Sequence, residues 1–127
     1  MAEESKPAYD LEDRLLNFGA RIITLTRSLT AGYAERHVGN QLLRSGTAPL
    51  SHHGEAQAAE SPADFIHKLR LALKELRESQ RWLKLIERAE LIPRKQRLEP
   101  ILDETDQLIR IFVSSIATAE KRRQKSS

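Results

Sequence analysis

Apolar residues recur at helical spacing in four stretches of the chain. In the first, over about 8–29, Leu11, Leu15, Phe18, Ile22, Leu25 and Leu29 step by four or three, which sets them on one face of a helix. Leu16 and Ile23 are expected to widen that face, and Thr30-Ala31-Gly32 reads as a stop. The second stretch starts near Tyr33 and carries Ala34, Val38, Leu42 and Leu43, then meets Gly46, Pro49 and Gly54. An interior proline removes a hydrogen bond and crowds the preceding turn, at a cost of about 3 kcal/mol. The pattern therefore predicts a helix over 33–58, kinked or broken near Pro49; the alternative is two short helices joined around 46–50.

The third stretch opens with Ser61-Pro62-Ala63-Asp64. Serine caps free amides, proline suits the first helical position, and aspartate completes a capping box. No glycine or proline follows until Pro93, so the helix should reach Ala89 or Glu90, with Phe65, Leu69, Leu73, Leu76 and Leu83 as its core face. Leu91-Ile92-Pro93 marks the next boundary. The fourth helix is expected to start between Pro93 and Glu99, with Pro100 in its first turn or at a kink. It should run to about Arg122 on Leu98, Ile101, Leu102, Thr105, Leu108, Ile109, Phe112, Ile116 and Ala119. Four amphipathic helices with short connections predict an all-α, antiparallel up-down-up-down four-helix bundle over 8–122. A disordered N-terminus, 1–7, and a basic disordered tail, 123–127, are expected to flank it.

Composition narrows the class. At 127 residues the chain suits one domain, and without cysteine it has no disulfide framework, which favours a reducing compartment. No apolar run approaches the ~18 residues of a membrane span, and the polar start Met1-Ala2-Glu3-Glu4 does not read as a signal peptide. The expectation is a cytoplasmic protein with no membrane partner.

Charge changes the picture more. The formal net charge of +3 combines a net of −2 over residues 1–60 with +5 over residues 61–127. Much of the excess is ordered: Arg70, Lys74, Arg77, Arg81, Lys84 and Arg88 are spaced by 4, 3, 4, 3 and 4. At about 100° per residue all six fall within about 40° of one line. His67 extends the line by a turn, and Glu75 and Glu78 lie on one side of it, Glu87 on the other. Three readings stand: a solvated face, pairing with acids of a neighbouring helix or subunit, or a row of contacts to nucleic-acid phosphates. In the last, Lys121, Arg122 and Arg123 near the C-terminus supply a second contact. Beside the line, Leu71, Trp82, Leu85 and Ala89 form a second apolar patch that contains the only tryptophan. It reads either as an oligomer interface, where aromatic residues are enriched, or as packing within the bundle.

Catalytic signals are missing. There is no cysteine nucleophile, no G-x-S-x-G and no glycine-rich phosphate loop. His52 and Glu55 have an i, i+3 spacing, but one such pair is too little for a metal site, and His37 and His67 stand alone. No enzyme activity, metal or cofactor is expected.

The ordered run Gln41-Leu42-Leu43-Arg44-Ser45-Gly46-Thr47-Ala48, Glu55-Ala56-Gln57-Ala58-Ala59-Glu60-Ser61, Asp64-Phe65-Ile66-His67-Lys68-Leu69, Leu73-Lys74-Glu75 and Trp82-Leu83, opened by Tyr9-Asp10-Leu11, resembles the "four helix bundle protein" family. That family is also called the large-subunit ribosomal RNA intervening-sequence protein family. The resemblance covers about residues 9–116, and Gln41, Arg44, Glu55, Phe65, Lys74 and Glu75 carry its motif. It implies an up-down bundle that assembles as a ring, a pentamer. A related branch, the accessory protein of diversity-generating retroelements, implies nucleic acid, RNA or DNA, and a reverse transcriptase as partners. Where the family reads Ser-Ile-(Gly/Pro)-Ala-Asn across its second helix, this chain has Ala48-Pro49-Leu50-Ser51-His52, so both polar positions of that motif are replaced.

Overall fold

The computed structural model describes residues 7–29, 31–93 and 98–126, and shows four helices: α1 (Pro7–Ser28), α2 (Tyr33–Gln57), α3 (Pro62–Arg88) and α4 (Leu98–Ser126). Cross-helix neighbours establish the topology. Arg44 meets Glu75 and Glu78, Ser45 meets Ser79, and Glu55 meets Lys68, so α2 and α3 run antiparallel. Gly39 lies against Leu29, and Gly46 against Ile22, which orients α1 against α2 in the same way. Arg70 reaches Glu120, while Lys84 and Arg88 face Leu102 and Asp106, so α4 descends along α3. Sequential helices are thus neighbours, and α4 closes back on α1 along a looser seam.

Local chemistry sets the helix ends. Ser61 Oγ accepts the amide of Asp64 at 3.0 Å, with Pro62 as the first residue of α3. At the other end Glu90 adopts φ 56, and the amides of Glu90 and Leu91 donate to the carbonyls of Glu87 and Ile86. This is a Schellman stop with glutamate in the left-handed position that glycine usually fills. α4 begins at Leu98, which places Pro100 in its first turn.

The core is one cluster drawn from all four helices. Leu11, Leu15, Phe18, Ile22 and Leu25 are buried on α1, as their spacing predicts, and Leu29 packs at the edge. Leu16 and Ile23 do not widen that face: they are exposed, because α1 contacts its neighbours over a single stripe. On α2 the buried line is Val38, Leu42, Ser45, Gly46, Pro49, His53 and Ala56, and on α3 it is Ile66, Leu69, Ala72, Leu76, Ser79, Leu83 and Ile86. Phe65 and Leu73 pack against the core while partly exposed.

Two expectations are corrected. α2 is unbroken through Pro49. The proline sits on the buried line, with apolar packing continuing before and after it, and that tertiary burial outweighs the loss of one helical hydrogen bond. Small neighbours fit the same region: a β-carbon on Gly46 would lie 2.7 Å from Ile22 Cγ1, so glycine permits the close approach of α1. The expected disordered tail is also helical as far as Ser126, whose hydroxyl donates to the carbonyl of Arg122 at 3.0 Å. No glycine or proline interrupts this end, and its cations suit the negative end of the helix dipole. At the other terminus Pro7 is already helical, and residues 1–6 lie outside the described residues.

Candidate nucleic-acid interface

α3 presents two differently treated sets of charges. On the side towards α2, Glu75 and Glu78 are bound by Arg44, with Arg44 Nη1 3.1 Å from Glu75 Oε1 and Nη2 on Glu78 Oε2. The indole Nε1 of Trp82 also donates to Glu78 Oε2, at 3.2 Å. The Trp82 hydrogen bond, with help from Arg44, holds the Glu78 carboxyl below its ordinary range, and the Glu78 carboxylate in turn raises the Arg44 guanidinium. Beneath this network, Ser79 Oγ lies 2.9 Å from Ser45 Oγ, with both side chains fully buried. Two residues of the sequence motif, Arg44 and Glu75, are therefore partners in one inter-helix clamp. Glu55, a third, is shared by His52 at 3.3 Å and Lys68 at 3.5 Å, and the hydrogen bond from His52 together with the Lys68 charge lowers its carboxyl. Phe65 joins the core margin, and Gln41 is half-buried on α2.

On the outer side, Lys74, Arg77, Arg81, Lys84 and Arg88 are all exposed. None of these five makes an ion pair among the described residues. Arg70 differs, because it pairs with Glu120 of α4. That pair brings the Arg70 end of the line beside the last turns of α4, where Lys121, Arg122 and Arg123 are exposed. Sequence spacing puts the cations on one line; the structure adds that these five make no direct ion pair among the described residues, with Glu87 and Asp106 near the Lys84–Arg88 end, and that the line continues towards a second, helical group of cations.

The apolar patch beside the line is divided. Trp82 is partly buried against the core, and the ring of His37 on α2 meets it edge-on at 6.1 Å. Leu71 is half-buried, whereas Ala89 is exposed and Leu85 is 44% exposed. Trp82 thus packs within its own bundle while leaving an edge at the surface. His37 and His67 are exposed, and no group of three potential metal ligands occurs among the described residues.

One residue with functional potential has no signal in the sequence pattern. His53, adjacent to the exposed end of the His52–Glu55 pair, is only 2% exposed and stacks edge-on against Phe112 at 6.3 Å. Burial pushes its imidazolium down, against a smaller opposing pull from Glu12. Its place on the buried line of α2, four residues after Pro49, becomes readable only once that helix is known to be continuous.

The sequence matches the model of the 23S rRNA-intervening sequence protein family over residues 11–114. Among solved structures, the chain is similar to a protein of unknown function from the S23 ribosomal protein family of Bacteroides thetaiotaomicron. The two are 35% identical and superpose with a TM-score of 0.80 over 87% of this chain and 97% of the other. No curated protein matches.

Proposed function

The chain belongs to the 23S rRNA-intervening sequence protein family, and we propose that it acts without catalysis, as a homo-oligomeric accessory protein that binds RNA or DNA. The observation that carries this reading is the run of five exposed cations on α3, from Lys74 to Arg88, that make no direct ion pair among the described residues, on a helix whose Glu75 and Glu78 are clamped by Arg44. Like charges at i, i+3 and i, i+4 repel one another by a few tenths of a kcal/mol per pair, and a polyanion relieves that repulsion. From Arg70 to Arg88 the line extends about 27 Å at roughly 1.5 Å per residue, enough to follow several phosphates. The cations of α4 prolong it at the Arg70 end. With few exposed rings beside it, the surface suits backbone contact rather than base stacking.

The edge of Trp82 and the exposed Leu85 beside this line supply the surface for subunit contact in a ring, a pentamer on the family pattern. A reverse transcriptase is the protein partner to test, and the cytoplasm the place of action. The second reading is an interaction scaffold whose basic line pairs with acids of another subunit and binds no nucleic acid.

Filter binding of RNA and DNA across a salt series tests the proposal. With four or five phosphates neutralised, log affinity should fall against log salt with a slope of about −4 on a duplex. Absence of binding at low salt overturns it and leaves the scaffold.

A further inference from the structure

We propose that the end of α2, from Leu50 to Gln57, is an acid-released latch: it lets go of α1 and α4 when His53 takes up a proton, while the rest of the bundle stays folded. The imidazole is 2% exposed and meets the fully buried ring of Phe112 on α4 edge-on at 6.3 Å. The Gln57 side-chain amide lies 3.4 Å from Nε2, and Nδ1 is buried with no hydrogen-bond partner among the described residues. In either tautomer of the neutral ring, one end or the other of the Gln57 amide suits Nε2. The charged ring carries a proton on both nitrogens, so Nδ1 becomes a cationic donor with nothing to receive it. The ring can hold charge only by reaching water, and it moves with its helix.

The groups around the ring do not compensate. On α1 the Glu12 carboxylate favours the cation, but its pull is smaller than the burial that opposes it. On α4 Arg122 lines the same groove as His53 and resists a second positive charge. α3 brings uncharged Phe65 and Leu69 to that groove, and its Lys68 is engaged with Glu55. On α2 itself, charge on His52 tightens its contact with Glu55, 3.3 Å away, and so works against release. The carbonyl end of α2 favours a cation chiefly within the last turn, and His53 precedes that turn.

The same segment is built to yield. Pro49 has no amide to give the carbonyl of Ser45, so the ladder of hydrogen bonds is interrupted where the segment begins. Gly54 is exposed inside the helix, and a β-carbon there would meet nothing within 4 Å, so packing does not require this weak helix former. α2 then ends without a basic residue in its last turn. Released from the core, His53 returns to the ordinary histidine range. Opening therefore takes up a proton: it grows by up to about tenfold per pH unit below that range, and levels off below the lower value of the folded ring. The latch lies apart from the outer line of α3, and its test needs no nucleic acid.

The test is amide hydrogen exchange of the full chain, read by nuclear magnetic resonance between about pH 7.5 and pH 5 and corrected for the intrinsic pH dependence of exchange. The amides from His53 to Ala56 should be at least about tenfold less protected than those of Leu76 and Leu83 in α3, which marks a separate opening. Their protection should fall by about three- to tenfold per pH unit once the ordinary histidine range is reached. His53→Phe keeps a ring in place and removes the titration, so the fall should vanish. Gly54→Ala leaves the histidine and should raise the protection of these amides about fivefold, with the acid response kept. Should His53→Phe fail to fold, Gly54→Ala and the parent still decide. The proposal is overturned if the latch amides share the protection of α3, if their protection ignores pH, if folded His53→Phe responds to acid as the parent does, or if Gly54→Ala leaves protection unchanged.

Discussion

α3 carries charge on two sides and treats the two in opposite ways. Towards α2, Glu75 and Glu78 share Arg44, and Trp82 adds a further hydrogen bond. Towards solvent, five cations from Lys74 to Arg88 make no direct ion pair among the described residues. Both sides are charged in the sequence, but of these two sets only the first is tied to a neighbouring helix. The difference teaches that a motif can mark a structural clamp, while a plain run of lysine and arginine is left at the surface, where the proposed binding would use it.

The largest expected effect tests the outer side. Arg77→Glu with Arg81→Glu should reduce nucleic-acid affinity by more than about tenfold at moderate salt, while circular dichroism and the melting temperature stay near those of the parent. A loss of the oligomer by light scattering, with unchanged binding, would assign these arginines to subunit contact instead. The clamp should behave in reverse. Arg44→Ala should lower stability by about 0.5–1 kcal/mol in chemical denaturation, since the guanidinium is half-exposed and screened, and leave nucleic-acid binding intact. Ser79→Ala, in the buried layer beneath, should cost about 1 kcal/mol by loss of its bond to Ser45.

Acid provides a smaller test of the same contrast. The folded-state pKa of Glu78 lies below its ordinary value, first through the Trp82 indole and then through Arg44. Its contribution to stability is therefore complete above the unfolded carboxylate range and is lost as pH falls through the lower, folded value. Denaturation midpoints measured from neutral pH into that range should decline, and Glu78→Gln should flatten the decline. Apart from both sides is Glu90→Gly, just past the end of α3: it relieves a left-handed residue and should raise stability by up to about 1 kcal/mol in chemical denaturation.

How far the sequence reveals this arrangement depends on the range of the interaction. The capping box at Ser61, the buried stripe of α1 and the outer line of α3 follow from spacing alone, because each concerns a single helix. Unbroken α2 does not follow: the local penalty of Pro49 is real, and only its packing against α1 and α3 outweighs it. Leu16 and Ile23 show the opposite limit, being apolar yet left outside by the width of the contact. Pairing of Arg44 with Glu75 and Glu78 needs the register of two helices, which no single-helix period supplies. The same holds for the groove lined by His53, Phe65 and Arg122, which come from three helices.

The buried positions Leu69, Ala72, Leu76, Ser79, Leu83 and Ile86 repeat every three and four residues, and the cations Arg70, Lys74, Arg77, Arg81, Lys84 and Arg88 keep the same cadence beside them. In heptad terms the core takes the a and d places and the cations the b and f places. Core and charge are thus phase-locked: the bearing of each cation relative to the hydrophobic seam is the same at every turn. Deletion of a single residue within α3 would throw everything beyond it round by about 100°. The charged line is a ruler whose graduations are fixed by the interior of the protein, and its straightness is inherited from the way the helix is packed.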